Sequence, residues 1–227
     1  MIQDNRILRA SPNFDERKLP IGILVLHYTG MASGAAAIDW LANPASRVSA
    51  HHVVAEDGQV LQMVDETKRA WHAGRSWWRG VTDINSASIG IEIVNPGHEF
   101  GYAPFPAAQM DAVHGLVAQI TARHRIAPAN VVGHSDIAPA RKEDPGELFD
   151  WPRLARAGLA AAPRPCTDPN WTDPGFLAAL GRYGYDITAP AQAVIAFQRR
   201  HRRSRFDGLI DAECRTILRG LLTAEGL

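Results

Sequence analysis

The chain lacks the features that betray function by composition alone. It has no net charge to speak of: 24 Lys and Arg balance 24 Asp and Glu. A balanced chain leaves no overall electrostatic footprint for nucleic acid or an anionic membrane surface, so neither is an expected partner. The basic run Arg199-Arg200-His201-Arg202-Arg203 is local and reads as a solvated helix face. No stretch is apolar for long enough to span a bilayer, which argues against membrane insertion. Residues 1–6 contain neither the apolar core nor the small-residue cleavage site of a secretory signal. The expectation is therefore a cytoplasmic protein, or a periplasmic or extracellular one if another route exports it. Cysteine is scarce. Cys166 and Cys214 lie outside any CxxC or Cys/His cluster, so neither reads as a zinc ligand or redox pair. Whether they pair with each other does not follow from sequence.

What is present is a series of short apolar runs with polar residues at their ends. At 227 residues the length fits one or two domains. Residues 1–20 read as a polar lead-in. Residues 21–26 are a continuous β-prone apolar run of the kind a buried strand needs. Residues 49–55 and 60–64 read as two strands joined by an Asp57-Gly58 turn. Residues 86–95 form another apolar strand, and 130–133 the last. A helix is expected over 33–41, with Ser33 as N-cap. A second is expected over 106–124, where Met110, Val113, Leu116, Val117 and Ile120 recur at spacings of three and four. A third is expected over 151–161, capped by Asp150. The fold class is α/β: a mixed central β-sheet flanked by helices, followed by a small three-helix C-terminal domain.

The polar residues at the strand ends carry the chemistry. His27 ends the first apolar run, and a coordinating side chain there is expensive to bury without a partner. Alone, it is more often a hydrogen-bonded core residue than a ligand. His51 and His52 alternate along their strand, so at most one can face the same cleft as His27. Glu92 sits between two isoleucines. Burial there raises its pKa, which suits a general acid or base, although pairing with an arginine is an equal alternative. The loop at 133–146 leaves a strand end and carries His134, Lys142 and Asp144. Trp71, Trp77 and Trp78 fall within a Gly- and Arg-containing stretch. They suit either stacking on a sugar or a hydrophobic cap over the sheet.

A catalytic zinc commonly takes three protein ligands and keeps one position open. His27, His134 and Asp144 supply two imidazoles and one charge, provided their strands are neighbours. Glu92 on a third strand can shuttle a proton, and Lys142 can stabilise an oxyanion. The reaction class is metal-assisted amide hydrolysis.

The residues Leu26-His27-Tyr28-Thr29, Ser49-Ala50-His51, Asp57-Gly58, Ala70-Trp71-His72-Ala73-Gly74, Asn85-Ser86-Ala87-Ser88-Ile89-Gly90-Ile91-Glu92, Gly133-His134-Ser135-Asp136-Ile137-Ala138-Pro139 and Lys142-Glu143-Asp144-Pro145-Gly146 occur in that order. Together they resemble the zinc-dependent N-acetylmuramoyl-L-alanine amidases of the AmpD and AmiD type, related to T7 lysozyme and the peptidoglycan recognition proteins. The resemblance spans about residues 20–160. It implies one Zn2+ per chain on His27, His134 and Asp144, with Glu92 and Lys142 catalytic. It implies substrate contacts from Tyr28, His51, Trp71, His72, Ala73 and Asn85. The implied reaction is cleavage between N-acetylmuramic acid, or its anhydro form, and L-alanine of the stem peptide. Peptidoglycan fragments or polymer are the implied partners. In two places the pattern departs: Ala50 stands where some relatives have a tyrosine, and His52 follows the strand histidine where many have tyrosine.

The expected organisation is a catalytic domain over 1–162, a Pro-rich linker over 163–170, and a domain over 171–227. That last part resembles, more loosely, a three-helix peptidoglycan-binding domain, which either binds glycan or buttresses the cleft. The chain is expected to be a monomer. The alternative function is a non-catalytic muropeptide recognition protein on the same fold.

Overall fold

The apolar run at 21–26 becomes the strand around which the sheet is laid. The computed structural model describes residues 7–227; residues 1–6, on which the reading of the missing export signal rests, lie outside the described residues. In chain order the strands are β1 (Ile7–Leu8), β2 (Phe14–Glu16), β3 (Ile23–Tyr28), β4 (His52–Val54), β5 (Val60–Gln62), β6 (Lys68–Ala70), β7 (Ser88–Ile93) and β8 (Val131–Gly133). The helices are α1 (Gly34–Ala42), α2 (Ile84–Ala87), α3 (Gly97–Phe100), α4 (Ala107–His124), α5 (His134–Ile137), α6 (Trp151–Arg156), α7 (Asp173–Tyr183), α8 (Pro190–His201) and α9 (Ala212–Glu225). No helix among the described residues is long and apolar enough to cross a membrane.

Six strands form one sheet in the order β1-β5-β4-β7-β3-β8, and β2 pairs with β6 in a separate ladder. Every neighbouring pair in the large sheet is parallel except β4 with β5. Strands β3, β7 and β8 are mostly apolar because both of their faces are covered. One face, with Leu24, Leu26, Ile89 and Ile91, packs on α4 and on Trp151 and Leu154 of α6. The other face, with Ile23, Val25 and Val132, packs on Phe176, Phe197 and Leu218 of the C-terminal helices.

Several expectations change. Within the lead-in, residues 7–8 and 14–16 are strands with exposed side chains. They are recruited by backbone pairing with β5 and β6, a signal that hydrophobic periodicity does not carry. Helix α6 ends at Arg156 rather than 161, where the Leu159 N–H donates back to the Leu154 carbonyl at 2.9 Å. The basic run is not a solvated face. Arg199, Arg200 and Arg202 are 9%, 5% and 3% exposed. Arg200 donates to Asp136 at 2.6 Å and to the Val131 carbonyl at 2.7 Å, so these guanidinium groups are structural. Cys166 and Cys214 are both free thiols.

The stretch at 163–170 lies along α9. Arg164 N–H donates to the Gly220 carbonyl at 3.0 Å, and Asp168 pairs with Arg215 at 2.8 Å. Because the C-terminal helices share one apolar cluster with the sheet, their unfolding exposes the sheet as well. Phe197 is fully buried in that cluster, against Phe176 and Tyr185. Phe197→Ala is expected to destabilise the chain by about 3–5 kcal/mol, with thermal unfolding remaining a single transition. Calorimetry that resolves a separate low-temperature transition for the C-terminal helices would contradict a shared core.

Candidate active site

Parallel pairing places the polar strand ends side by side. His27 on β3 is the Cα partner of Glu92 on β7, so both side chains leave the same face of the sheet. Leu26 pairs with Gly133 on β8, and His134 follows it immediately. Gly133 is needed for the next step of the chain. A Cβ there would lie 2.8 Å from Pro145 and 3.4 Å from the Asp144 carbonyl oxygen. The loop therefore folds back over Gly133, and the Ser135 N–H donates to the Asp144 carbonyl at 2.9 Å.

The result is a cluster of His27, His134 and Asp144, all buried. His27 Nδ1 lies 2.9 Å from His134 Nδ1 and 3.1 Å from Asp144 Oδ2, and His134 Nδ1 lies 3.0 Å from the same oxygen. His134 Nε2 donates to the Ala73 carbonyl at 3.1 Å, so its Nδ1 presents a lone pair to the carboxylate. Two electron-pair donors at that separation repel unless a cation lies between them. The donor set and its convergence therefore fit a metal ion. Tetrahedral bonds of about 2.0–2.1 Å hold donor atoms roughly 3.3 Å apart, slightly wider than the spacings seen here.

Charge in the site follows from burial. Burial pulls His27 down to about 4, and the neighbouring His134 adds to the effect, so His27 is neutral near pH 7. Burial opposes ionisation of Asp144, but His134 and His27 beside it hold it well below the usual carboxylate range. Burial, reinforced by the charge of Asp144, pushes Glu92 well above its ordinary value, with Lys142 opposing. Glu92 Oε2 has no hydrogen-bond partner, and no arginine pairs with Glu92 among the described residues. The arginine-paired alternative is thereby set aside.

A cavity of about 500 Å³ opens over the cluster. His27, Glu92, His134, Lys142 and Asp144 all line it, as do Tyr28, Trp71 and His72. Three of the expected substrate contacts lie elsewhere. His51 is fully buried off the cleft wall: its Nδ1 accepts from the Gly90 N–H at 2.9 Å, and its Nε2 lies 3.1 Å from the Lys68 carbonyl. Asn85 Oδ1 is used internally, accepting the N–H groups of His72 and Ala73. Ala73 is fully buried, and its carbonyl serves His134. The atoms named here are held by hydrogen bonds within the chain.

His52 points away from the cleft and pairs with Glu66 at 2.9 Å, a carboxylate that also takes Arg123 and His124 of α4. It ties the sheet to that helix. Trp78 is buried in the core, whereas Trp71 lines the cleft and Trp77 is exposed. Trp40 and His98 also line the cleft and were not anticipated. Trp40 lies on α1 and is 47% exposed, and an aromatic among the alanines of a short helix is the available signal. Arg141 was missed as well. It bridges the Ala73 and Arg75 carbonyls at 2.5 and 2.7 Å, and its place beside Lys142 in the loop was the clue.

Comparison with known proteins agrees with this geometry. Residues 17–147 match the family described as N-acetylmuramoyl-L-alanine amidase. The chain is 37% identical to the N-acetylmuramoyl-L-alanine amidase AmiD of Escherichia coli, over 91% of this chain and 84% of that protein. It is 34% identical to the 1,6-anhydro-N-acetylmuramyl-L-alanine amidase AmpD of Haemophilus influenzae, over 63% of this chain and 86% of that one. A solved structure of the Escherichia coli AmiD, in complex with the substrate anhydro-N-acetylmuramic acid-L-Ala-D-gamma-Glu-L-Lys, superposes with a TM-score of 0.84. It is 33% identical and covers 94% of this chain and 98% of that one.

The convergence of three ligand atoms predicts one divalent ion per chain. Titration of the metal-free protein with zinc, followed by metal analysis, is expected to give that stoichiometry. His134→Ala is expected to abolish tight binding, and full zinc retention in that variant would remove His134 from the ligand set.

Proposed function

The chain belongs to the N-acetylmuramoyl-L-alanine amidase family, and from that premise we propose that His27, His134 and Asp144 hold one zinc ion at a hydrolytic centre served by Glu92 and Lys142. It is an N-acetylmuramoyl-L-alanine amidase of cell-wall turnover or recycling. It cleaves the amide between N-acetylmuramic acid, or its anhydro form, and L-alanine of the stem peptide. The observation that carries the assignment of residues is the register of β3 against β7, which sets Glu92 beside His27 on the cleft floor.

A zinc ion so held supplies Lewis acidity, polarising a carbonyl and acidifying water. The chain's own residues divide the remaining work. Glu92, with a raised pKa and a free Oε2, takes a proton from the attacking water and delivers it to the departing L-alanine nitrogen. Lys142, on the same cleft wall, stabilises the oxygen of the attacked carbonyl as negative charge develops there. Trp40, Trp71 and Tyr28 offer aromatic surface to the sugar and peptide of a muropeptide.

Turnover is read by mass spectrometry of the released stem peptide, with soluble anhydro-muropeptide and polymeric sacculus as parallel substrates. Glu92→Gln is expected to keep the metal and lose about two to four orders of magnitude in kcat; near-normal rates would overturn the role. No mass change with the wild-type, zinc-loaded protein would favour a recognition protein instead. The protonation of Glu92 is a further check. In the metal-free protein its raised pKa means that, as pH falls, the carboxyl takes up its proton above the ordinary 4.5 of a glutamate, as read by 13C NMR of the carboxyl carbon. Titration at or below that ordinary value would contradict a desolvated Glu92.

A further inference from the structure

Both ligand histidines face the cluster through Nδ1, so each must keep its single hydrogen on Nε2. What enforces this can be followed outward, donor by donor. The Ser88 hydroxyl donates to the Ile84 carbonyl at 2.6 Å, which uses its only hydrogen. Toward His72 Nε2, 3.2 Å away, Ser88 Oγ can then only accept. His72 is buried, and its Nδ1 faces a ring nitrogen of His27 rather than an acceptor oxygen. With its hydrogen on Nε2, His72 offers Nδ1 as an acceptor to His27 Nε2 at 3.0 Å. The His27 hydrogen is held on Nε2, and its Nδ1 lone pair is left for the metal.

The next residue serves the second ligand. The Ala73 carbonyl accepts from His134 Nε2 at 3.1 Å and from Arg141 Nη2 at 2.5 Å. Residues 72 and 73 are fixed together by one side chain, because Asn85 Oδ1 accepts their N–H groups at 3.0 and 2.7 Å. The His72 ring is packed from behind as well. A Cβ at Gly90 would lie 2.5 Å from it, so only glycine in β7 admits the imidazole.

We infer that His72, Ala73, Asn85 and Ser88 form one orienting device that sets the tautomer of both ligand histidines. His72 with Ser88 acts on His27, and the Ala73 carbonyl acts on His134. This rests on the metal-centre reading above and deepens it. His72, Asn85 and Ser88 are positioning residues. Reversing the His72 tautomer would aim a hydrogen at His27 Nε2 and drive the His27 hydrogen onto Nδ1, where it blocks the metal.

Two readouts, neither requiring turnover, test the device on the full chain. In the metal-free wild-type protein, 15N chemical shifts of the imidazoles are expected to show His27 and His134 as Nε2–H tautomers. His27 found on Nδ1–H would overturn the inference whatever the variants do. Ser88→Ala is expected to raise the zinc dissociation constant about 10- to 100-fold in chelator competition, as loss of outer-shell partners does. It is also expected to mix the His27 tautomers while the thermal midpoint of the metal-free protein stays close to wild type. Ser88→Thr, which keeps the hydroxyl, is expected to restore affinity. Zinc affinity within about twofold of wild type in Ser88→Ala, against the 10- to 100-fold expected, would also overturn it. A chain that shows this zinc dependence but leaves muropeptide uncut would sink the amidase reading and leave the orienting device standing.

Discussion

The site depends on parallel pairing of three adjacent strands. Because β3 lies between β7 and β8 in parallel, the ends of all three face the same way. A parallel sheet sets residues of equal register side by side on one face, so His27 and Glu92 become neighbours although 65 positions separate them in the sequence. A slip of one residue in β7 would turn Glu92 to the opposite face, among the apolar side chains against α4. Register is protected against such a slip by Ile89, Ile91 and Ile93, which are fully buried on that opposite face. The placement of Glu92 in the cleft thus rests on the packing of three isoleucines that never touch the cleft.

Much of this was legible in the sequence because the relevant signals are local. Apolar runs mark the strands. Polar residues at their ends, His27 and His134, stand out because burying them is costly. Glu92 stands out for the same reason. The outer layer was not legible, because its residues are ordinary where they stand. Ser88 begins a strand, Asn85 sits in a short helix, and Ala73 acts through a backbone carbonyl that no side-chain pattern reports. Motif likeness marked His72, Ala73 and Asn85 as candidate substrate contacts, but it carries no information on the hydrogen bonds they make within the chain. The strands β1 and β2 escaped because two or three exposed residues have no period to read. The arginine run misled because charge pattern says where charges occur and not whether carboxylates await them.

Those arginines connect the C-terminal helices to the chemistry. Asp136 lies in α5, two residues after His134, and is fully buried. It accepts from Arg200 at 2.6 Å, from the Tyr185 hydroxyl at 2.6 Å and from the Gly133 N–H at 2.7 Å. Arg199 reaches Glu143 at 3.0 Å and Glu147 at 3.4 Å, on either side of Asp144. Arg203 donates to the Phe149 carbonyl at 3.0 Å. The loop that carries His134, Lys142 and Asp144 is therefore held along its length by residues from α8 and from the chain on either side of it.

Such buried pairs contribute little net stability compared with an apolar equivalent, yet removing one partner strands the other at about 3–5 kcal/mol. That asymmetry suits a device for holding geometry better than one for adding stability. An irregular loop has no ladder of its own to keep His134 and Asp144 within bonding distance of one ion. The sheet fixes only its first residue, through Gly133. The remaining constraint comes from α8 on one side and from the Ala73 carbonyl, which Arg141 also grips, on the other. On this arrangement the C-terminal helices brace the loop that carries His134 and Asp144 from outside the cleft. Part of the site's order is then encoded some sixty residues downstream of the ligands it serves.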